Sequence, residues 1–142
     1  MILPDVNLLV YAVDRDSRYH ASARQWLDQL VAGTESIGLA WNVVLGFVRI
    51  TTGGILSSSL TADQAFEVLA IWLALPRVRL IEPGPGHFDL LRSLLRDAGT
   101  AGNLTSDAHL AAIAIEHNAE VCSVDVDFKR FAGVRWRNPL AT

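Results

Sequence analysis

Cysteine is nearly absent from this 142-residue sequence, where Cys122 is the only one. A single thiol cannot form an intramolecular disulfide, so a disulfide framework is excluded and the reducing cytoplasm is the expected compartment. Because the neighbours of Cys122 are apolar and typical of a strand, we expect it to be buried and inert. The sequence also lacks apolar runs of the ~20 residues that a membrane-spanning helix needs. No basic segment precedes the first acid, Asp5, so neither a signal peptide nor a membrane partner is predicted.

Positive charge is scarce as well. Lys129 is the only lysine, and 12 basic residues against 15 acidic ones give a net charge of -3. This balance disfavours a protein that coats nucleic acid with a broad basic surface, but it permits an enzyme that holds RNA through metal ions and a few arginines. Apolar residues, by contrast, are abundant: 51% of the chain is hydrophobic, and the mean hydropathy is +0.28. This excess indicates that another chain covers part of the apolar surface.

Some segments repeat apolar residues at helical spacing and others are short apolar runs, which predicts alternating helices and strands. Such alternation with short links is typical of one α/β domain, here residues 1–142, in which helices cover both faces of a mainly parallel sheet. Asn42 and either Thr105 or Ser106 are predicted helix caps, and Asn118 suits a left-handed helix end. Strands are predicted at residues 2–7 (continuing into 8–11), 36–41, 78–81, 120–123 and 134–136, and helices at about 21–30, 42–51, 60–75, 87–98 and 105–117.

Three acidic segments are predicted near the carboxyl ends of strands, where open parallel sheets bind their ligands. Asp5 and Asn7 lie two residues apart on the first predicted strand, which would point both side chains to the same side. Asp107 lies in the first turn of a predicted helix. Asp125 and Asp127 follow the fourth predicted strand. The topology would bring these side chains together.

Each of these acids also has an ordinary structural explanation. Asp107 would interact favourably with the dipole of its helix, and Asp125 and Asp127 could form a turn after a strand. An acid inside an apolar first strand, as at Asp5, is costly unless it is paired or bound to a metal. Carboxylates ~4 Å apart repel each other by about 4 kcal/mol at an effective dielectric constant of ~20. A divalent cation would relieve this repulsion, and oxygen-only ligands favour Mg²⁺ or Mn²⁺ over zinc.

Three motifs, in this order, resemble the PIN-domain ribonucleases of the VapC toxin group. They are MILPDVN at residues 1–7, SDAHLAAIA at residues 106–114 and SVDVDF at residues 123–128. The resemblance spans essentially the whole chain, including residues 41–51 and the closing residues 133–140. Asp-x-Asn alone is a weak signal, but three motifs in order over the expected length are a strong one.

The resemblance implies a Rossmann-like, three-layer PIN fold and cleavage of RNA phosphodiesters by a metal-activated water, leaving a 5′-phosphate. It implies that Asp5, Asp107 and Asp125 are catalytic and bind Mg²⁺ or Mn²⁺, with Asp127 completing the metal site. It further implies a homodimer and inhibition by a small VapB-type antitoxin. We therefore expect an exposed apolar groove between the helix that contains Trp26 and the helix at residues 60–75.

The chain departs from the family at Gly46, where the resemblance places a glutamate of the acidic cluster. A glycine inside a helix costs ~1 kcal/mol relative to alanine, which indicates either close packing or room for a ligand. Three further residues are candidate supporting groups. Arg49 could contact the scissile phosphate or form a surface ion pair. Ser123 could orient an acid or be a plain strand-end hydroxyl, and Asn7 accompanies Asp5.

Other side chains that could carry chemistry have plainer explanations. The four histidines do not have metal-ligand spacing, so His87 is expected at a helix end and His109 as a structural or surface residue. Trp136 lies between Arg135 and Arg137, which fits an edge strand more simply than an RNA contact.

The Gly46 departure keeps open a catalytically weak or inactive protein that binds RNA or an antitoxin. A second alternative is a phosphatase-like hydrolase with Asp5 as its nucleophile, although that class expects an aspartate where Asn7 stands. The third is a purely structural dimer subunit, which would not explain why acids that repel one another are brought together.

Overall fold

The first strand and the first helix meet at Asp5. In the computed structural model, which describes residues 1–141, β1 spans Ile2–Pro4 and α1 spans Val6–Val13. Asp5 is the N-cap of α1, and its side chain accepts a hydrogen bond from the Val6 N–H. The prediction of a strand through residue 7 was therefore wrong, and Asn7 lies in the first turn of α1. The helix was missed because its sequence, VNLLVYAV, has no polar face to reveal a helical period.

The remaining elements alternate in the predicted order. Thr61 caps the helix Ala62–Leu73 through a capping box with Gln64, and Asn118 has the left-handed conformation expected of it, with φ 50°. The predicted side-chain caps at the third and sixth helices are wrong, because Ala40 and Leu104 occupy those positions and neither offers a cap. The elements are α2 His20–Ala32, β2 Ile37–Ala40, α3 Trp41–Thr52, α4 Ala62–Leu73, β3 Val78–Ile81, α5 His87–Ala98, α6 Thr105–Glu116, β4 Glu120–Cys122 and β5 Arg135–Arg137, with 3₁₀ turns at Gly102–Leu104 and Val126–Arg130.

All strands of the described chain join one parallel sheet in the order β3-β2-β1-β4-β5. β1 is central: Ile2 pairs with Ile37 of β2 on one side, and Leu3 pairs with Val121 of β4 on the other. The strand order reverses at β1, so the gap between the carboxyl ends of β1 and β4 is the position where open sheets bind ligands. This α/β architecture confirms the predicted fold class.

The core lies between the sheet and two groups of helices. Helix α1 packs against both α2 and α3, α4 packs against α3, and α5 packs on α6. Fully buried residues include Leu3 and Val121 of the sheet and Phe47 and Ile113 of the helices. Residues 110–114 of α6 are all buried, so this helix is held firmly against its neighbours. Within residues 1–141, no helix combines the length and the apolarity that crossing a membrane would require.

Candidate metal centre

Asp5 is buried at the junction of β1 and α1, with only 7% of its surface exposed. Its Oδ1 accepts a hydrogen bond from the Val6 N–H at 2.8 Å. Its Oδ2 accepts from Ser123 Oγ at 2.6 Å and from Asn7 Nδ2 at 3.2 Å. Burial raises the pKa of Asp5 above its ordinary value, and these three donors only partly offset that effect. Asp5 is therefore fixed in position by contacts on both carboxylate oxygens.

Ser123 joins the two central strands to the acidic segment that follows β4. Besides donating to Asp5, its Oγ accepts hydrogen bonds from Asn7 Nδ2 at 3.1 Å and from the Asp125 N–H at 3.0 Å. The Ser123 peptide is held in turn by β5, since Trp136 Nε1 donates to its carbonyl oxygen at 3.1 Å. Ser123 is fully buried. Its hydroxyl lies where it can orient Asp5.

The structure brings Asp107, Asp125 and Asp127 together, and we call these three residues the acidic cluster. One carboxylate oxygen from each lies within 4.8 Å of the others. The turn after β4 helps to form it, because Asp125 Oδ1 accepts from the Asp127 N–H at 2.9 Å. All three side chains are half-buried. No ion pair among residues 1–141 gives them a basic partner.

The acidic cluster carries uncompensated negative charge. The pKa of Asp107 rises from 3.8 to about 7, mainly because burial penalises the charged form. The charges of Asp5, Asp125 and Asp127 raise it further. Asp107 therefore holds its proton to a higher pH than an ordinary aspartate unless a cation is bound. Asp5 belongs to the same electrostatic site, although its oxygens are already hydrogen-bonded.

These residues fit a divalent cation. All the donors are oxygens, which suits Mg²⁺ or Mn²⁺. A cation would also remove the mutual repulsion of the acidic cluster. The Asn7 Oδ1, which is buried and has no hydrogen-bond partner within residues 1–141, is a further oxygen that lacks a donor. Buried polar atoms without partners are rare and often mark a place for water or an ion.

Comparison with known proteins identifies the fold. The PIN-domain profile matches residues 2–134. This chain belongs to the PIN-domain family. It is 43% identical to ribonuclease VapC37 of Mycobacterium tuberculosis over 142 residues, which cover 99% of both chains. It is also 43% identical to ribonuclease VapC33 of the same species over 141 residues, again 99% of both.

Solved structures of PIN-fold toxins superpose on the whole domain. VapBC2 from Rickettsia felis, solved with a DNA fragment of its promoter, matches with a TM-score of 0.71 at 22% identity, covering 97% of this chain and 98% of the other. VapC20 of Mycobacterium tuberculosis, described as a toxin that cleaves the sarcin-ricin loop, gives a TM-score of 0.71 at 16% identity, covering 95% and 99%. These likenesses support the fold, and the resemblance expected from the three motifs is confirmed.

Two residues of this PIN domain that the sequence singled out, Arg49 and Gly46, are not part of the acidic cluster. Arg49 is exposed and takes part in none of the ion pairs or side-chain hydrogen bonds of residues 1–141, so its phosphate contact stays a prediction. A Cβ added to Gly46 would lie 3.3 Å from Val6 Cγ2. Helix α3 therefore lies close to α1 at this position, and a side chain at residue 46 would require Val6 to shift slightly. Val6 directly follows Asp5, so a glutamate at position 46 would start beside the site.

Two features of the structure were not expected from the sequence. Asn42, predicted to be a cap, lies in the first turn of α3 with its Oδ1 buried and unpartnered within the described chain. Trp136 holds the Ser123 peptide, and Lys129 lies over the Trp136 ring. The contacts of Trp136 join β5 to residues 7 and 13 positions earlier in the chain, beyond the reach of a local pattern.

An apolar groove of about 400 Å³ lies between α2 and α4, where it was predicted. Leu27, rather than its neighbour Trp26, faces it from α2. Ile71 of α4 lines it with 65% of its surface exposed. The ion-paired side chains of Arg24 and Asp28 also line it. The groove is thus mainly apolar and has one ion pair among its lining residues.

Proposed function

We propose that this PIN domain is a divalent-metal-dependent endoribonuclease that acts as the toxin of a toxin–antitoxin pair. The observation that carries the proposal is the convergence of Asp107, Asp125 and Asp127, beside the fixed Asp5. The substrate class, RNA, is supported by relatives named ribonucleases that are 43% identical over nearly their whole length. We place the activity in the cytoplasm, in keeping with the single buried Cys122.

The residues of this chain divide the work as follows. Asp107, Asp125 and Asp127 would hold Mg²⁺ or Mn²⁺, and Asp5 would act on the same cation through its charge. A bound cation of this kind lowers the pKa of a water and offsets charge on the scissile phosphate. Ser123 keeps Asp5 oriented through its 2.6 Å hydrogen bond. Asp107, whose pKa is about 7, would give up the proton it holds when the cation binds.

The first experiment is a cleavage assay on total bacterial RNA with Mg²⁺, Mn²⁺ or EDTA, in which new 5′-phosphate ends are sequenced. We expect discrete cuts that need the metal and that fall by about 100-fold or more in Asp125→Asn, because a ligand is lost. Asp97→Asn, at an exposed position of α5, is the matched control and should cleave like the native protein. Cuts that persist in EDTA, or no cuts with either metal, would reject the proposal.

The contacts of Asp5 disfavour the phosphatase-like alternative. A nucleophilic carboxylate needs an accessible oxygen, but Asp5 is 7% exposed and both of its oxygens accept hydrogen bonds. The inactive-binder alternative rests on Gly46, which packs close to Val6 and supplies no carboxylate to the site. Loss of all metal-dependent cleavage from folded protein would revive it.

The groove between α2 and α4 is the proposed docking site of the antitoxin. Solved neighbours with this fold are toxin–antitoxin complexes from Rickettsia felis and Haemophilus influenzae, and an apolar surface of this kind needs a cover. Ile71→Asp should weaken binding of the cognate antitoxin at least tenfold by calorimetry, because a charge would be buried on binding. Ile55→Asp, at an 80% exposed position outside the groove, is the control. Equal affinities for both variants would move the docking site elsewhere.

The homodimer implied by the family resemblance stays a prediction. Trp41 and Leu45 lie one turn apart on α3 with 43% and 62% of their surfaces exposed. Large apolar side chains at this spacing form a stripe. We propose this stripe of α3 as the contact with a second copy.

A further inference from the structure

A lysine and a tryptophan meet next to the segment that carries Asp125 and Asp127. Lys129 lies two residues after Asp127, in the 3₁₀ turn Val126–Arg130. Its Nζ is 5.5 Å from the centroid of the Trp136 ring, within the range of a cation–π contact. Lys129 is exposed, whereas Trp136 is half-buried in β5. The ring thus supports an ammonium group that remains open to solvent.

Trp136 connects this lysine to the proposed catalytic residues. Its Nε1 donates to the Ser123 carbonyl oxygen at 3.1 Å, and the Ser123 hydroxyl donates to Asp5 at 2.6 Å. One edge of the indole therefore contacts the residue that orients Asp5, while one face carries Lys129. The ammonium is held next to the site by the same side chain that fixes Ser123.

Lys129 differs from the neighbouring arginines because its side chain forms no hydrogen bond or ion pair within residues 1–141. Arg130 donates to the Ala98 carbonyl oxygen, and Arg135 donates to the Asn118 carbonyl oxygen. Arg137 pairs with Glu120 at 2.6 Å. Lys129 takes part in no ion pair and no side-chain hydrogen bond of residues 1–141. Its ammonium group therefore remains available for a ligand.

An RNA strand that approaches the acidic cluster meets strong negative charge, and a nearby cation would offset it. We propose that Lys129, held by Trp136, binds a backbone phosphate of the RNA that flanks the phosphate at the acidic cluster. This subsite rests on the proposed ribonuclease function. The indole face restricts the flexible lysine side chain, which lowers the entropy lost when the phosphate binds.

Cleavage kinetics of Lys129→Met on a single-stranded RNA, over a range of salt concentrations, test the subsite. We expect KM to rise about fivefold at low salt with kcat within about twofold, because a ground-state contact is lost. The slope of log KM against log salt should fall by about 0.7, the value for one phosphate contact on a single strand. Lys129→Arg should retain most of the slope. Arg79→Met removes one exposed charge from β3 at the opposite sheet edge and should keep the native slope.

A direct binding measurement separates this subsite from the proposed function. Fluorescence anisotropy with a labelled RNA compares Asp125→Asn with the double variant Asp125→Asn/Lys129→Met, so that no cleavage is required. A lower affinity and a reduced salt slope in the double variant support the subsite even if the native protein cuts no RNA. Unchanged affinity and slope overturn it, even if cleavage by the native protein is robust. A fall in kcat with unchanged KM in Lys129→Met also overturns it, because the lysine would then act on the chemistry.

Discussion

Helix α6 carries two clusters of titratable side chains that are built in opposite ways. Near its start, Asp107 lies close to Asp125 and Asp127, so that acidic side chains face one another. Along the rest of the helix, His109 and Glu116 meet His87 of α5. His87 Nδ1 donates to Glu116 Oε1 at 2.5 Å, and a 2.8 Å hydrogen bond joins His87 Nε2 to His109 Nδ1.

The difference lies in whether each charge has a partner. Glu116 Oε2 also accepts from the Gly84 N–H at 2.7 Å, so both of its oxygens are hydrogen-bonded and one faces an imidazole. The carboxylate of Asp107 has only acids as charged neighbours, and its pKa rises to about 7. A satisfied cluster stabilises the packing of α5 on α6, whereas an unsatisfied one marks a site that needs a ligand. The two clusters should therefore respond oppositely to the removal of a carboxylate.

The largest effect on stability is expected from Glu116→Ala. The substitution leaves His87 Nδ1 and the Gly84 N–H without an acceptor in a half-buried position, and each such loss costs ~1–3 kcal/mol. We expect the free energy of unfolding to fall by about 2 kcal/mol or more in urea denaturation, while the folded variant keeps its metal-dependent cleavage. Glu67→Ala, at an exposed position of α4, is the control. A loss of cleavage without a loss of stability would erase the distinction between the clusters.

The pH dependence of Asp107→Asn tests the other cluster. Because the pKa of Asp107 is raised from 3.8 to about 7, the native state holds a proton that the unfolded chain has lost between about pH 4 and pH 7. The free energy of unfolding in EDTA therefore falls as pH rises through this window. Asparagine does not titrate, so the Tm of the variant minus that of the native protein should grow from near zero at pH 4 to its maximum above pH 7.

His109 has the opposite pH effect in both proteins. Burial lowers the pKa of His109 below 6.5, so its contribution to stability is lost as pH falls through that lowered value. The difference between the two Tm values removes this contribution, and scanning calorimetry gives both curves. A difference that stays constant from pH 4 to pH 8 would mean that folding does not raise the pKa of Asp107.

Mg²⁺ should raise the Tm of the native protein above pH 7 and have little effect on the Asp107→Asn variant.

The smallest effect is expected where the acidic site depends on a supporting contact. Trp136→Phe keeps the packing of the ring but removes the Nε1–H that holds the Ser123 carbonyl oxygen at 3.1 Å. One such hydrogen bond contributes about 1 kcal/mol, so kcat should fall by about fivefold. In a Ser123→Ala background the same change should have almost no effect, because Trp136 acts through the Ser123 hydroxyl on Asp5. Additive losses in this double-mutant cycle would show that Trp136 acts independently of Ser123.

Much of the fold follows from short-range patterns. The alternation of apolar runs and helical stripes predicted the strands and five of the helices, and Thr61 and Asn118 mark helix ends through local chemistry. Helix α1 was missed because burial on several sides removes the polar face on which a helical period depends. The predicted cap at Asn42 failed for a related reason, since the chain passes directly from β2 into α3 and leaves no separate cap residue.

The sequence predicted which residues form the candidate site better than it predicted how they are arranged. The sequence named Asp5, Asp107, Asp125 and Asp127, since strand and helix ends are local features. It placed Asp5 and Asn7 on one strand, whereas they meet at a strand–helix junction, where Asn7 Nδ2 still reaches Asp5 Oδ2 at 3.2 Å. The division into a hydrogen-bonded Asp5 and a repelling acidic cluster depends on contacts that no spacing encodes.

The sequence by itself determined which acids lie at the ends of strands and helices, because periodicity and turn chemistry act over a few residues. It also determined, through three motifs in order, the family to which the chain belongs. Only the tertiary structure decided which carboxylates are hydrogen-bonded and which face other acids. Glu116 pairs with His87 from 29 residues away, and Ser123 reaches Asp5 across 118 residues. Partners at such separations are chosen by the order of strands in the sheet and by the packing of α5 on α6, which bring distant segments into contact.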